Sequence, residues 1–168
     1  MRATRVMATL FLSLAAAAVA PPAHAYDGGL PMNGTFAVTS IGDWAKTDDV
    51  YRDEASTHQT WQVTSQCDNP QSCTGHVVSD AGWNAELTFH TDRWLVHNQI
   101  PDWEKCPDGT AFPGDQLFRF YPIDPASGRV QVGSTTYAGE DITTGVTGKC
   151  GDSTPLVIRM PVRIDKIA

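Results

Sequence analysis

Residues 57–100 read THQTWQVTSQCDNPQSCTGHVVSDAGWNAELTFHTDRWLVHNQI, and this stretch decides the fold. Short runs of alternating polar and apolar residues, rich in Thr, Val, Trp and Phe, are separated by clusters of Gly, Asp, Asn and Pro. This pattern is typical of β-strands joined by tight turns. No convincing amphipathic helix follows residue 25 in the sequence, so we predict an all-β protein.

A single register fits the three consecutive hairpins of this stretch. A tight turn at residues 91–92 and a three-residue loop at residues 80–82, in which Gly82 supplies a positive φ, keep apolar side chains on one face. The resulting cross-strand pairs are Phe89 with Trp94, Leu87 with Val96, Ala85 with Asn98, Trp83 with Ile100, Val77 with Ala85, Val63 with Val77 and Trp61 with Ser79. In this register Cys67 lies directly opposite Cys73, which predicts a cross-strand disulfide.

The N-terminal residues have the pattern of an export signal. Arg2 and Arg5 form a short positive segment, and residues 6–20 are almost wholly apolar. Residues 23–25, Ala-His-Ala, have small side chains at the two positions that a signal peptidase reads. The apolar run is shorter than the ~20 residues that a membrane-spanning helix needs. We therefore predict Sec-type export, cleavage after residue 25, and a product that is secreted or held in the cell envelope.

The chain has four cysteines, and an even number in an exported protein indicates disulfides. Once Cys67 is paired with Cys73, the remaining pair is Cys106 with Cys150. The chain-entropy model gives about 2.4 kcal/mol for the short ring and about 4 kcal/mol for the long one, which closes about 45 residues. The second bond ties residues 101–108 to a Gly-rich stretch, and we expect the two segments to form one end of the fold.

Residues 26–168 remain after cleavage, and this length favours one domain. Eight strands are predicted in it, at residues 34–41, 57–65, 73–79, 83–90, 93–100, 116–123, 129–137 and 156–165. The last has a clear period of two, with apolar residues on one face. We predict a single antiparallel meander of about eight strands, closed into a small barrel of lipocalin- or avidin-like architecture, with a β-sandwich as the alternative.

The charge of the mature chain excludes two classes of partner. Loss of Arg2 and Arg5 leaves 10 basic against 19 acidic residues, a formal charge of −9. Nucleic acids and anionic membrane surfaces both favour basic patches, so neither is expected as a partner, and no stable membrane insertion is expected either.

No pattern in the sequence indicates a catalytic, metal or cofactor site. Residues 151–153, Gly-Asp-Ser, lack the glycines and the histidine context of a trypsin-like protease. Acidic residues crowd the connection at residues 43–54, but their spacing fits no calcium loop. We therefore predict a protein that is not an enzyme, with no catalytic residues, no bound metal and no cofactor.

Aromatic residues give the candidate binding site. Trp61, Trp83 and Trp94 fall on the predicted inner face, where they either fill the core or line a cavity. With Phe120 and Trp44 they form the candidate site for a small apolar or aromatic ligand.

The alternative hypothesis is a module that contacts an envelope or host protein through the acidic loop at residues 43–54 and the Gly-rich loop at residues 143–152. Trp44, Tyr51 and Trp103 have no clear place on the inner face, so their location distinguishes the two hypotheses.

Seven segments of the mature chain carry a resemblance: GTF at 34–36, GDWA at 42–45, WQVTSQC at 61–67, CTG at 73–75, SDAGW at 79–83, WEKCPDGT at 103–110 and FRFYP at 118–122. In these the chain resembles a group of small exported four-cysteine proteins of mycobacteria and related actinobacteria. The group carries no established activity. The resemblance therefore implies export, the four-cysteine framework and an actinobacterial origin, and it transfers no functional residue.

Overall fold

The computed structural model describes residues 28–168. These residues contain ten β-strands and one short 3-10 helix. The predicted signal peptide, residues 1–25, lies outside these residues. The strands are β1 (Gly34–Ser40), β2 (Lys46–Thr47), β3 (Val50–Tyr51), β4 (Thr57–Asn69), β5 (Ser72–Ser79), β6 (Asn84–His90), β7 (Arg93–Lys105), β8 (Ala111–Pro122), β9 (Thr136–Thr144) and β10 (Val157–Lys166). Within residues 28–168 no helix has the length and apolar character needed to cross a bilayer.

Eight of the strands close into an antiparallel barrel, as predicted. β1 pairs with β4, each strand from β4 to β9 pairs with the next one along the chain, and β10 pairs back with β1. The sheet is continuous, so the β-sandwich alternative does not describe it. β2 and β3 form a small hairpin that is attached to β10 outside this circle of strands.

The derived register is confirmed over most of its length. The pairs present in the structure are Trp61 with Ser79, Val63 with Val77, Cys67 with Cys73, Val77 with Ala85, Leu87 with Val96 and Phe89 with Trp94. The loop at residues 80–82 also forms as expected, because Gly82 has a φ of +87° and the Ser79 N–H donates to the Trp83 carbonyl.

Two derived pairs are wrong: Ala85 with Asn98 and Trp83 with Ile100. β6 and β7 pair only between residues 87–90 and residues 93–96. Beyond that point β7 continues along β8 and then passes through a bulge between Ile100 and Glu104, which bends the strand. The β6–β7 ladder itself ends at Leu87 and Val96, so the barrel wall has an open seam toward one end.

The strand predicted at residues 129–137 is also wrong, since β9 begins only at Thr136. Val130 and Val132 alternate with polar residues and so imitate a strand, but they lie in a turn region and are exposed. The real strand is harder to find because Asp141 occupies one of its inward positions. A buried charge breaks the apolar alternation on which the prediction depends.

The sequence predicts no strand in residues 43–54, whereas the structure has the β2–β3 hairpin there. Its two-residue turn is formed by Asp48 and Asp49, with φ values of 49° and 64°. Positive φ at both central residues is the geometry that matches the twist of paired strands. Each strand is only two residues long, too short to show alternation.

Both predicted disulfides are present. The Cα atoms of Cys67 and Cys73 lie 3.9 Å apart, and those of Cys106 and Cys150 lie 4.8 Å apart. The first bond joins β4 and β5 at the end of the barrel where β1 begins. The second lies beyond the opposite end, where it joins the turn after β7 to the loop after β9.

The interior is filled with apolar side chains from every strand of the barrel. The largest that are fully buried are Trp61, Trp94, Phe36, Phe118, Phe120 and Met32. Leu30 and Met32 precede β1 and belong to the same core, and the Met32 N–H donates to Ser65 Oγ over 2.7 Å. The N-terminal segment thus packs into the end that carries the Cys67–Cys73 disulfide, which we name the closed end.

Candidate functional site

The opposite end of the barrel, which we name the mouth, contains a pocket of about 460 Å³ beside the open seam. This volume lies within the range of small-molecule sites. Its apolar lining comes from Trp83, Ile100, Pro101, Trp103 and Met160. Its polar lining includes Gln59, Asn98, Gln116, Asp141 and Thr143. The pocket therefore combines a large apolar surface with a small number of polar groups.

Trp103 reaches the mouth because β7 and β8 extend beyond the barrel as an arm. A Cβ atom added at Gly114 would lie 2.7 Å from Trp103 Cδ2, so the indole rests directly on the β8 backbone. The Cys106–Cys150 disulfide ties the tip of this arm to the loop after β9. The bulge, the glycine and the disulfide together hold Trp103 beside the pocket.

Trp83 also lines the pocket and joins it to the core. Its ring is stacked on that of Phe118, with centroids 6.1 Å apart, and meets Trp61 edge to face at 5.5 Å. One part of the side chain is therefore fixed by core packing, while the half-buried remainder lines the pocket. A tryptophan held in this way presents a rigid apolar surface to a ligand.

Asp141 lies at the floor of the pocket and is only 1% exposed. Its Oδ2 accepts a hydrogen bond from the Ser40 hydroxyl at 2.7 Å, and its Oδ1 accepts one from Gln116 Nε2 at 2.9 Å. Gln116 Oε1 in turn accepts from Asn98 Nδ2 at 3.1 Å. The carboxylate is therefore held in a fixed orientation by neutral donors from β1 and β8.

Burial governs the electrostatics of this carboxyl group. Desolvation raises the pKa of Asp141 above its ordinary value, and the hydrogen bonds from Ser40 and Gln116 oppose that shift. None of the ion pairs found in residues 28–168 includes Asp141. A buried carboxylate without a cationic partner is costly in the charged form.

The sequence-predicted site residues fall into three places. Trp61, Trp94 and Phe120 are fully buried in the filled part of the barrel, where Trp61 packs on Phe120 with centroids 6.3 Å apart. Trp83 lines the pocket at the mouth. Trp44 lies outside the barrel and is 65% exposed. The structure therefore brings Trp83 together with Trp103, and it does not bring Trp44 to the same site.

Trp44 belongs instead to an exposed patch with the β2–β3 hairpin. Tyr51 is 68% exposed, Val50 is exposed beside it, and Lys46 Nζ lies 4.7 Å from the centroid of the Tyr51 ring. Trp44 and Tyr51 also line a shallow groove with Arg159. We name Trp44, Val50 and Tyr51 the hairpin patch.

Sequence reasoning missed Asp141, Gln116 and Asn98 as a connected polar group. One signal was available in residues 136–144, TYAGEDITT, where a period of two places Tyr137, Gly139, Asp141 and Thr143 on one face. A buried acidic residue within such a strand is a candidate functional residue.

Metal coordination has little support in the described residues. No group of three or more His, Cys, Asp or Glu side chains in residues 28–168 is arranged to hold a metal ion. The pocket itself is lined by one carboxylate and by amide and hydroxyl groups. The arrangement can orient a ligand by hydrogen bonds and one charge.

No protein-family model matches the chain, and no curated protein matches it. The fold is similar to a solved structure described as the monomer form of the M. tuberculosis PknI sensor domain, with a TM-score of 0.57 and 15% sequence identity. The alignment covers 83% of this chain and 89% of that chain. At this identity the likeness shows a shared fold alone, so the resemblance to small exported mycobacterial proteins stays a prediction.

Proposed function

We propose that this protein is a non-enzymatic, exported barrel that binds a small, largely apolar ligand in the pocket at its mouth. The observation that carries the proposal is the pocket itself, in which Trp83 and Trp103 face a floor of fixed polar groups. Sites of this kind use the apolar walls for affinity and the few polar groups for orientation.

A binding role fits the pocket better than catalysis. Asp141 is the one ionisable side chain in its lining, and the Ser40 hydroxyl that donates to it is not part of that lining. Nucleophilic catalysis needs a nucleophile activated by a neighbouring base, cation or metal, and the pocket lining holds no such pair. The PknI sensor domain, which shares the fold, is compatible with a role in binding.

Location outside the cytoplasm is part of this proposal. Residues 28–168 contain two disulfides, and such bonds persist in oxidising compartments. Together with the N-terminal pattern of an export signal, they support a protein that is secreted or retained in the cell envelope.

The test uses the five tryptophans as separate reporters. A panel of small aromatic and aliphatic fragments is titrated into ¹⁵N-labelled protein, and the indole N–H resonances are followed by NMR. We expect fragments to shift the signals of Trp83 and Trp103 and to leave that of Trp44 unchanged. Trp103→Ala is expected to weaken binding at least about tenfold, since it removes one wall of the pocket.

Trp44→Ala is the matched control, because it deletes the same side chain at an exposed position outside the mouth. We expect it to leave fragment affinity unchanged. The proposal is overturned if no fragment shifts Trp83 or Trp103, or if the two alanine variants bind fragments equally well.

A second candidate function is contact with another protein through the hairpin patch. Trp44, Val50 and Tyr51 are all exposed on one small hairpin region, and clustered exposed apolar side chains mark interaction surfaces. This observation favours the alternative hypothesis for the acidic loop at residues 43–54.

A photo-crosslinking amino acid placed at position 51 tests this second candidate in cells that produce the protein. The same probe at position 130 is the control, because Val130 is as exposed as the patch but lies in a distant turn. A discrete crosslinked product from position 51 alone supports the candidate. Equal labelling from both positions, or none from position 51, rejects it.

A further inference from the structure

We propose that the ligand of the mouth pocket is an organic cation, meaning an apolar molecule that carries a protonated amine or a quaternary ammonium group. This inference rests on the proposed function and names the class of molecule that the same pocket selects. Three features of the described residues carry it: the sign of the charge in the pocket, the pairing of Asp141, and the two tryptophan walls.

The charge lining the pocket has one sign. Asp141 is its single ionisable residue, and no Lys or Arg side chain lines it. Lysine and arginine are the usual partners of carboxylate or phosphate ligands. An anionic ligand would therefore meet a like charge in a partly desolvated site without a cation to compensate it.

The hydrogen bonding of Asp141 leaves capacity for a charged donor. A carboxylate offers about four acceptor sites, and here Ser40 and Gln116 each occupy one. The residues opposite Asp141 in the ladders of β8 and β10 are Phe118 and Met160, which do not ionise. An ammonium group that enters from the pocket would supply the cationic partner that the fold omits.

The tryptophan walls favour the same class of ligand. A cation within about 6 Å of an indole face is attracted by the ring quadrupole, and the attraction grows when both are desolvated. Trp83 and Trp103 both line the pocket whose floor holds Asp141. Aromatic walls with a carboxylate are the combination that distinguishes an ammonium group from a neutral group of the same shape.

A second carboxylate, that of Glu104, lies beside Trp103 at this end of the barrel. A Cβ atom added at Gly145 would lie 2.5 Å from Glu104 Oε2 and 3.4 Å from Trp103 Cζ3, so the carboxylate and the indole flank the same glycine. Glu104 Oε2 is buried and has no hydrogen-bond partner among residues 28–168. An ammonium donor that reaches this oxygen would supply the hydrogen bond that it lacks.

Three probes of matched size and different charge test the inference: 2-phenylethylammonium, 2-phenylethanol and phenylacetate. Each has one phenyl ring and one short polar arm, and each is titrated into the wild-type protein at pH 7 by NMR and calorimetry. We expect the ammonium to bind at least about tenfold more tightly than the alcohol, and phenylacetate to bind most weakly. This ranking needs no variant and does not depend on a substitution being tolerated.

Asp141→Asn then identifies the group responsible for the ranking. Asparagine keeps the size of the side chain, and the Ser40 hydroxyl can turn to accept from its amide, so we expect the fold to persist. Affinity for the ammonium is expected to fall to that of the alcohol, while affinity for the alcohol stays the same. The control is Asp115→Asn, which removes an exposed carboxylate beside Gln116 in sequence but on the outer face of β8.

The outcomes separate this inference from the proposed function. If the alcohol binds at the mouth as tightly as the ammonium, or if phenylacetate binds best, the cation inference is overturned and the pocket remains a ligand site. If none of the three probes and no fragment of the wider panel binds at the mouth, the proposed function fails and the inference fails with it.

Discussion

The two ends of the barrel differ in what their inward-facing positions hold. Toward the closed end these positions carry large apolar side chains, whereas toward the mouth the same strands carry polar ones. Along β4 the inward residue changes from Trp61 to Gln59, and along β8 it changes from Phe118 to Gln116. Along β9 the inward residue changes from Tyr137 toward the closed end to Asp141 and Thr143 toward the mouth.

This difference separates the parts of the barrel that stabilise the fold from the part available to a ligand. The polar residues at the mouth are paired with each other and with the edge of the core. Gln59 Oε1, for example, accepts from Trp61 Nε1 at 3.1 Å and from Ser79 Oγ at 2.8 Å. Since buried groups without partners destabilise a fold, this pairing allows the mouth to stay polar.

The largest effect is expected from deleting a side chain of the filled interior. Trp61 is fully buried and contacts Phe118 with ring centroids 4.9 Å apart. Trp61→Ala should lower the free energy of unfolding by roughly 3–5 kcal/mol, because it leaves a cavity. Trp103→Ala should lower it less, by roughly 1–3 kcal/mol, because that side chain is only partly buried. Urea unfolding measures both.

Equal losses of stability from Trp61→Ala and Trp103→Ala would contradict the division of the barrel into a stabilising interior and a binding end. A loss of fragment affinity in Trp103→Ala with a smaller loss of stability than in Trp61→Ala would support this division.

The two disulfides allow the same comparison between the ends. Replacing Cys106 and Cys150 with alanine should reduce the free energy of unfolding by about 4 kcal/mol, since the bond closes a long loop. Replacing Cys67 and Cys73 should reduce it by about 2.4 kcal/mol, since the two residues are only 6 apart in sequence. Denaturation under identical oxidising conditions measures the difference.

Ligand affinity should separate the two disulfides more sharply than stability does. We expect only the Cys106–Cys150 deletion to weaken binding of 2-phenylethylammonium, because this bond restrains the arm that carries Trp103. If the Cys67–Cys73 deletion weakens binding as much, the closed end influences the pocket and the two ends are not independent.

A smaller effect is expected from Gly114→Ala, which acts on the wall of the pocket. The added methyl group would lie within 3 Å of Trp103 and of Thr143 Cγ2, so the indole has to move away from β8. We expect a loss of about 1–3 kcal/mol in stability from overpacking, together with weaker fragment binding. Chemical denaturation and NMR titration measure the two effects.

The double variant Gly114→Ala/Trp103→Ala is the control for this mechanism. If displacement of Trp103 causes the loss of affinity, Gly114→Ala has little further effect on binding once the indole is absent. Additive effects of the two substitutions on affinity would show that Gly114 acts through another contact.

Sequence reasoning predicted the filled part of the molecule better than the mouth. The register from Trp61 to Val96 was derivable because apolar side chains recur at alternate positions along most of these strands and Cys67 lies opposite Cys73. Prediction ended where β6 and β7 separate, because beyond Val96 β7 pairs with β8 rather than with β6 and then bends at the bulge after Ile100. Alternation within a single strand contains no information about such a bend.

The site was harder to predict for a related reason. Asp141 faces inward on β9. An inward carboxylate interrupts the alternation of apolar and polar residues from which strands are predicted. The exposed residues Val130 and Val132 gave a stronger apparent strand than the real one. The inward carboxylate that distinguishes the mouth is therefore also the reason why β9 was not predicted.

The smallest expected effect is a pH dependence that belongs to the mouth. Because burial raises the pKa of Asp141, the folded protein holds this proton more tightly than the unfolded chain does. The stability that this group contributes is therefore greatest below its unfolded pKa and is lost as the pH rises through its folded pKa. Asp141→Asn removes the effect, so the variant should gain stability relative to wild type as the pH rises from about 3 to 7.

The comparison of wild type with Asp141→Asn isolates this group from carboxylates that act in the opposite direction. Asp165 is an example, since its hydrogen bond from Arg163 lowers its pKa and its contribution to stability is lost as the pH falls. Such contributions are common to both proteins and cancel in the difference between their unfolding free energies. A flat difference for Asp141→Asn over this pH range would mean that ionisation of Asp141 has no cost in the folded state. The mouth would then not differ from the closed end in its electrostatics.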